Sequence, residues 1–302
     1  MSGFISIFLN VLGPVFLLLA LGYYAAPKLG LEARTLSRVA YYIISPAFVL
    51  TILGSAKLEA QLTARMIGFI TLTYLISTAI AMLIARLLKR PRSMIAAYAM
   101  IAVFGNVGNF GLPISQFAQG KEALIPGTVY FLANMVLGFV VCVAIAQLMK
   151  GGDPVQAALK VVKTPSLLAL PPALIINYFD IVLPPIIARP AELLTPALIP
   201  IMLITLGAQL AAAGIPKPNL DMVLSGGIRL VSGAALAFAL VGLFGLPLLE
   251  RNVGILQASM PAAVLVSIIA LENDVMPEFV TASVLLSNLL SALSLGVVLA
   301  FM

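Results

Sequence analysis

The sequence predicts an all-α membrane protein: ten transmembrane helices in two inverted five-helix repeats, with broken helices 4 and 9 crossing each other. Three observations predict it. Of the 302 residues, 62% are hydrophobic and only 9% are charged, with a mean hydropathy of +1.15, far from the roughly 25% charged typical of soluble domains. The basic residues fall between apolar segments rather than in patches, which argues against a nucleic-acid surface despite a net charge of +6. Polar and helix-breaking residues recur in the same order in the two halves of the chain.

A spanning helix takes roughly 20 apolar residues, and spans are expected near 5–25, 35–55, 63–86, 94–118 and 124–148, then 164–180, 188–211, 221–245, 251–272 and 278–301. Phe4 to Ala26 has no basic residue ahead of it and is too long for a signal-peptide core, so it reads as a retained first span. The first repeat is residues 1–149, the second 164–302, and the polar stretch 150–163 is a cytoplasmic linker between them.

Orientation follows the basic residues. Lys28, Arg34, Arg38, Arg86, Lys89, Arg90, Arg92, Lys150, Lys160, Lys163 and Lys217 lie in loops on one side, against Lys57, Arg65, Lys121, Arg189 and Arg251 on the other. The richer side is cytoplasmic, which puts both termini outside a cell (inner) membrane crossed many times. An odd number of spans per half inverts the second half relative to the first.

The halves match at particular residues. Pro46-Ala-Phe-Val-Leu-Thr51 followed by Gly54 parallels Pro200-Ile-Met-Leu-Ile-Thr205 followed by Gly207. Asn109 stands four residues before Pro113, and Gln257 four before Pro261; Asn134 and Asn288 each sit in the middle of the last span of their half. Pro14, Pro46, Pro196 and Pro200 read as kinks.

Spans four and nine are broken. Phe104-Gly-Asn-Val-Gly-Asn-Phe-Gly-Leu-Pro113 packs glycines, asparagines and a proline together, and Gln257-Ala-Ser-Met-Pro261 is its counterpart. Unsatisfied backbone groups in lipid cost several kcal/mol each, so such breaks belong inside protein or beside a water-filled cavity. Pro113 is suited to open a half-helix over 113–118 whose free N–H groups face back into the break. A helix N-terminus suits a carboxylate, and two such ends meeting near the midplane form a carrier site.

At these segments the chain resembles the auxin efflux carrier family, which includes plant PIN auxin exporters and bacterial carriers of malonate-like acids. The resemblance rests on Gly105-Asn-Val-Gly-Asn-Phe-Gly-Leu-Pro113, Leu256-Gln-Ala-Ser-Met-Pro-Ala-Ala-Val264, Ala270-Leu-Glu-Asn-Asp-Val-Met-Pro277, Lys163-Thr-Pro165 and the stretch from Pro200 to Gly207. It implies a scaffold of spans 1, 2, 6 and 7, often dimeric, and a mobile transport unit of spans 3–5 and 8–10. It implies substrate-site roles for Asn106, Gln257, Pro113 and Pro261; Asn109 and Asn288 depart from the positions the family pattern emphasises. The short central linker resembles bacterial members.

Arg229 is the one charge well inside a span, eight residues after Asp221 and roughly 12 Å along a helix. Two readings stand: a countercharge for an anionic substrate facing the bundle interior, or a side chain that snorkels to the headgroups. Glu272 and Asp274 end span nine as proton or cation ligands or as a solvated turn, and Asp180 and Glu192 flank an outer turn. The crossing itself offers only neutral side chains, Asn106, Asn109, Ser115, Gln116 and Gln257, which favours an anion over a cation.

The expected function is a secondary transporter moving small organic anions (carboxylates, auxin- or malonate-like) by alternating access, with the lipid bilayer around it and a homodimer through the scaffold. The substrate-site candidates are Asn106, Asn109, Pro113, Gln257, Pro261, Asn288 and Arg229. The alternative is a sodium-coupled organic-anion symporter of bile-acid-carrier-like fold. With Cys142 alone and no histidine, no disulfide, metal centre or cofactor is expected, and no enzyme.

Overall fold

The computed structural model describes residues 8–150, 164–214 and 217–302; the linker expected over 150–163 lies, from residue 151 on, outside them. Among the described residues the chain is helical, with a single isolated antiparallel bridge between Gly105 and Ala262. Among the described residues, seven helices are long and apolar enough to cross a membrane: α1 (Leu9–Leu29), α2 (Ala33–Gly54), α3 (Ala60–Leu87), α6 (Lys121–Gln147), α8 (Pro185–Ala213), α9 (Leu220–Phe244) and α12 (Pro277–Ala300). The other expected spans are a short apolar helix, α7 (Pro165–Tyr178), and two interrupted pairs. These are α4 (Arg92–Val103) with α5 (Leu112–Gln119), and α10 (Leu248–Ala258) with α11 (Val264–Glu272).

The polarity of α3 is that of a helix in lipid. Its buried face runs Met66, Phe69, Ile70, Thr73, Tyr74, Ser77, Thr78, Ala81 and Ala85 at helical spacing. The hydroxyls of Thr73, Tyr74, Ser77 and Thr78 therefore lie on the inner face, while Ile67, Leu72, Leu75 and Leu83 face outward. Where the surroundings are apolar, burial selects hydrogen-bonding side chains, and lipid-exposed positions select aliphatics. Thr73 and Thr78 each return a hydroxyl to the carbonyl one turn back, and Ser77 bonds Ser232 of α9 at 2.6 Å.

Three of the prolines follow a shared rule. Pro14, Pro46 and Pro113 each stand two residues past the end of a five-residue π-turn, Phe8–Leu12, Ala40–Ile44 and Val107–Gly111 respectively, as the second residue of the α-helix that follows. A proline ring clashes with the carbonyl four residues back and offers no N–H to it, so the turn ahead widens and the helix bends. Pro196 lies instead in the 3₁₀ turn Thr195–Ala197.

The helices pack in two groups. In the first, α1 lies along α8 and α2 against α7. The α1–α8 contact is backbone on backbone. A Cβ at Gly22 would stand 2.2 Å from the Ile204 carbonyl oxygen, and one at Gly207 2.0 Å from that of Leu19. This small-residue packing brings helices together where no hydrophobic force drives them. Buried Ser45 and Ser166 join α2 to α7 at 2.6 Å, and Asn177 reaches the Leu53 carbonyl at 2.9 Å. In the second group α3, α4, α6, α9, α10, α11 and α12 surround the breaks. The groups meet at the π-turn Val107–Gly111: Phe110 packs edge-on against Phe16 of α1 at 5.8 Å, and Gly108 lies by Met202 of α8.

Candidate functional site

The two breaks cross as short antiparallel extended segments. The Asn106 N–H donates to the Pro261 carbonyl at 2.7 Å, and the Ala263 N–H to that of Phe104 at 2.8 Å. These bonds flank the Gly105–Ala262 pair and satisfy backbone that lipid would leave stranded. Gly105 and Ala262 themselves are satisfied by the last long helix of each half. Asn134 on α6 donates Nδ2 to the Gly105 carbonyl at 2.9 Å and accepts the Gly105 N–H at 3.2 Å. On α12, Asn288 donates Nδ2 to the Ala262 carbonyl at 2.9 Å, and the Ser287 hydroxyl accepts the Ala262 N–H at 3.2 Å.

Asn106 and Asn288, both buried, are joined directly: Asn106 Nδ2 donates to Asn288 Oδ1 at 2.8 Å. Gln257, fully buried in the last turn of α10, sends Nε2 toward the Ser115 hydroxyl at 3.4 Å, while its Oε1 has no partner among the described residues. That carboxamide lies against Gly111, where a Cβ would stand 2.0 Å from Oε1. Pro113 is buried in the first turn of α5, and Pro261 gives its carbonyl to the crossing.

Two expectations about this region are corrected. The fourth-span break is shorter than 104–113: only Phe104, Gly105 and Asn106 separate α4 from the π-turn, which runs unbroken into α5. The first free N–H groups therefore belong to the turn starting at Val107 rather than to Pro113. The parallel between Asn109–Pro113 and Gln257–Pro261 also fails as a match of positions. Gln257 precedes the crossing on α10, whereas Asn109 follows it on the π-turn, half-buried and outside the bonded network.

Arg229 does not snorkel. It is fully buried on α9, with its guanidinium over the Tyr74 ring at 4.3 Å from the centroid. Its Nε donates to the Met260 carbonyl at 2.9 Å, Nη1 to Ala102 at 2.7 Å and Nη2 to Ala258 at 3.4 Å. The Tyr74 hydroxyl donates to the Gln257 carbonyl at 2.8 Å. Glu272, Asp274, Asp180 and Glu192 are exposed, and among the described residues no group of acidic or cysteine side chains is arranged to hold a metal ion.

A cleft of about 500 Å³ opens between the end of α8 at Ala213, α11 at Ser267, Ile268 and Leu271, and the start of α12 at Glu278 and Thr281. It runs between the two helix groups. Ser267, the fourth residue of α11, lines the cleft, and its hydroxyl is buried without a partner among the described residues.

Sequence reasoning placed Gly105 in the break but missed Tyr74 and Ser287 as parts of the crossing, and it used Asn134 only as a repeat marker. A signal was present. The 155 residues between the bonded Ser77 and Ser232 also separate Tyr74 from Arg229, and Ala102 from Gln257, the carbonyls those two side chains bind.

A family model described as "Membrane transport protein" matches residues 7–157 and 155–299. An uncharacterised transporter of Methanothermobacter thermautotrophicus is 28% identical over 266 residues, 87% of each chain. One from Methanocaldococcus jannaschii is 23% identical over 273 residues, again 87% of each. The chain is a multi-pass membrane protein that belongs to this membrane transport protein family, the auxin efflux carrier family.

Proposed function

We propose that the chain is a secondary carrier of small organic anions, carboxylates of auxin or malonate type, working by alternating access at the crossing of α4–α5 with α10–α11. The observation that carries this reading is the cleft that reaches the first turn of α11 between the two helix groups. The opening N–H groups of a helix have no intrahelical acceptor and carry about half a positive charge. An anion entering the cleft meets the hydroxyls of Ser267 and Thr281 beside the exposed Glu278 at its mouth, with the carboxamides of the crossing buried beyond its lining.

In this reading α1, α2, α7 and α8 form the scaffold, through which two copies pair, and the other helices form the unit that moves. The π-turn at 107–111, packed on Phe16 and Met202, is the sliding contact. The chain crosses the cell membrane ten times as two inverted repeats with both termini outside. The 155-residue correspondence and the paired roles of Asn134 and Asn288 support that symmetry. By this orientation the cleft faces the cytoplasm.

The test is a thermal-shift screen of the detergent-purified protein against mono- and dicarboxylates, with and without sodium. A ligand that binds the folded state raises the unfolding temperature by mass action. Stabilisation by a carboxylate without sodium supports the reading. Stabilisation only with sodium present replaces it with the sodium-coupled symporter, and no response to any carboxylate rejects the substrate class.

A further inference from the structure

Arg229 presents an electrostatic problem that anion binding does not solve. It is a desolvated cation deep in the bundle, and among the described residues the one ion pair is Arg90–Asp221, elsewhere on α9. Withdrawing such a charge from water is strongly unfavourable unless something replaces its hydration. The replacement is made of backbone. Ala102 is in the last turn of α4, Ala258 is the last residue of α10, and Met260 lies two residues beyond it. The last four carbonyls of a helix have no intrahelical donor, and a helix C-terminus carries about half a negative charge. Two such ends, one from each broken helix, converge on one guanidinium, with the face of Tyr74 completing the cage.

The guanidinium also fixes the separation of the two broken helices, because its planar fork holds donors at set angles. The Tyr74 hydroxyl closes the same cluster on the Gln257 carbonyl. Both Arg229 Nη2 and the Tyr74 hydroxyl press on Gly105, where a Cβ would stand 2.3 Å and 2.6 Å from them.

We infer that Arg229 is a positioning residue for transport: it ties the C-terminal ends of the two broken helices together and balances their negative dipoles, and it makes no contact with the transported anion. Its charge is matched by the carbonyl ends. The opposite, N-terminal ends of α11 and of the turn at Val107 are left without a fixed counter-anion, and the anion site needs that. The structural part of this inference is independent of the substrate; its transport part rests on the carrier reading above.

Hydrogen–deuterium exchange on the full-length purified protein tests it without a ligand. Arg229→Gln is expected to speed exchange about tenfold or more at the amides of Asn106 and Ala263, on both breaks, while the amides of α1 and α8 keep their wild-type rates. Arg229→Lys, which keeps the charge and loses the fork, is expected to fall between the two. If Arg229→Gln does not yield folded protein, Tyr74→Phe is read instead, with faster exchange expected at Ser259 and Met260. Wild-type exchange at both breaks in whichever of these variants is read overturns the inference.

Flux of a carboxylate that stabilises the wild type, measured in liposomes, separates positioning from contact. Arg229→Lys is expected to lower the maximal rate and leave the half-saturation concentration within about twofold. A tenfold rise in half-saturation with unchanged exchange overturns the inference and makes Arg229 a substrate contact. A wild type that carries no carboxylate, together with the expected exchange pattern, rejects the substrate reading and leaves the positioning role standing.

Discussion

Asn134 and Asn288 do the same work on opposite breaks: each sends its Nδ2 to the carbonyl at the crossing, of Gly105 and of Ala262, and each bond is 2.9 Å long. A side-chain carboxamide carries a donor and an acceptor on one rigid plane, so Asn134 satisfies both backbone groups of Gly105. Asn288 divides the task with Ser287 and uses its free oxygen for Asn106.

Replacing Asn134 by Leu strands the Gly105 N–H and carbonyl in a dry interior, at about 1–3 kcal/mol per group. Asn288→Leu strands the Ala262 carbonyl and the Asn106 amide together. Both variants are expected to unfold at lower temperature than wild type in detergent. A variant of either kind with wild-type thermal stability would show that the bonds do not hold the crossing.

The glycines divide by what surrounds them. Gly105→Ala places a methyl inside contact distance of Arg229 and Tyr74, whereas a Cβ at Gly227, on the same helix as Arg229, meets nothing within 4 Å. Flux is expected to collapse in Gly105→Ala. Gly227→Ala is expected to transport normally and to gain up to about 1 kcal/mol from helix propensity. The check is paired flux and melting measurements at equal membrane abundance.

Gly207→Ala drives a methyl into the Leu19 carbonyl and so pries α8 from α1. Overpacking of this kind costs about 1–3 kcal/mol, and a lower melting temperature is the expected readout. Because Gly22 presses on Ile204 across the same contact, the double variant Gly22→Ala, Gly207→Ala is expected to lose less than the sum of the two. Strict additivity would show that the two glycines act at separate contacts.

Much of this was legible in the sequence because lipid makes the backbone's demands visible. Glycine, asparagine and proline crowded into an apolar run mark a break, and the mid-span asparagines mark the partners that a break requires. The correspondence expected between the two halves was harder to read. Matching Asn109 to Gln257 through the prolines that follow them paired a residue after the crossing with one before it, since Pro113 begins an α-helix and Pro261 lies in extended backbone. Nor does sequence reveal that a buried arginine has carbonyls for company. Its partners, Ala102, Ala258 and Met260, contribute no side-chain signal at all.

Glu278 is the charged side chain lining the cleft. A carboxylate about 10 Å from a bound anion in watery surroundings opposes it by about 0.4 kcal/mol. Glu278→Gln is therefore expected to improve apparent affinity from that side about twofold, and the gain is expected to shrink as salt is raised. Side-selective flux at two ionic strengths checks this, and an affinity that falls in Glu278→Gln would point to a cation as cargo.

Carriage of an organic anion at the crossing of the two broken helices is the function proposed above. Its most direct test is the flux, into liposomes, of a carboxylate that stabilises the purified protein, compared between wild type and Asn106→Ala at equal reconstituted amounts. Asn106→Ala removes the 2.8 Å bond to Asn288 and a carboxamide at the crossing, and leaves the backbone bond from Asn106 to Pro261 available. Sodium-independent flux is expected in the wild type, with at least about a tenfold loss in the variant. Wild-type flux in Asn106→Ala would contradict it.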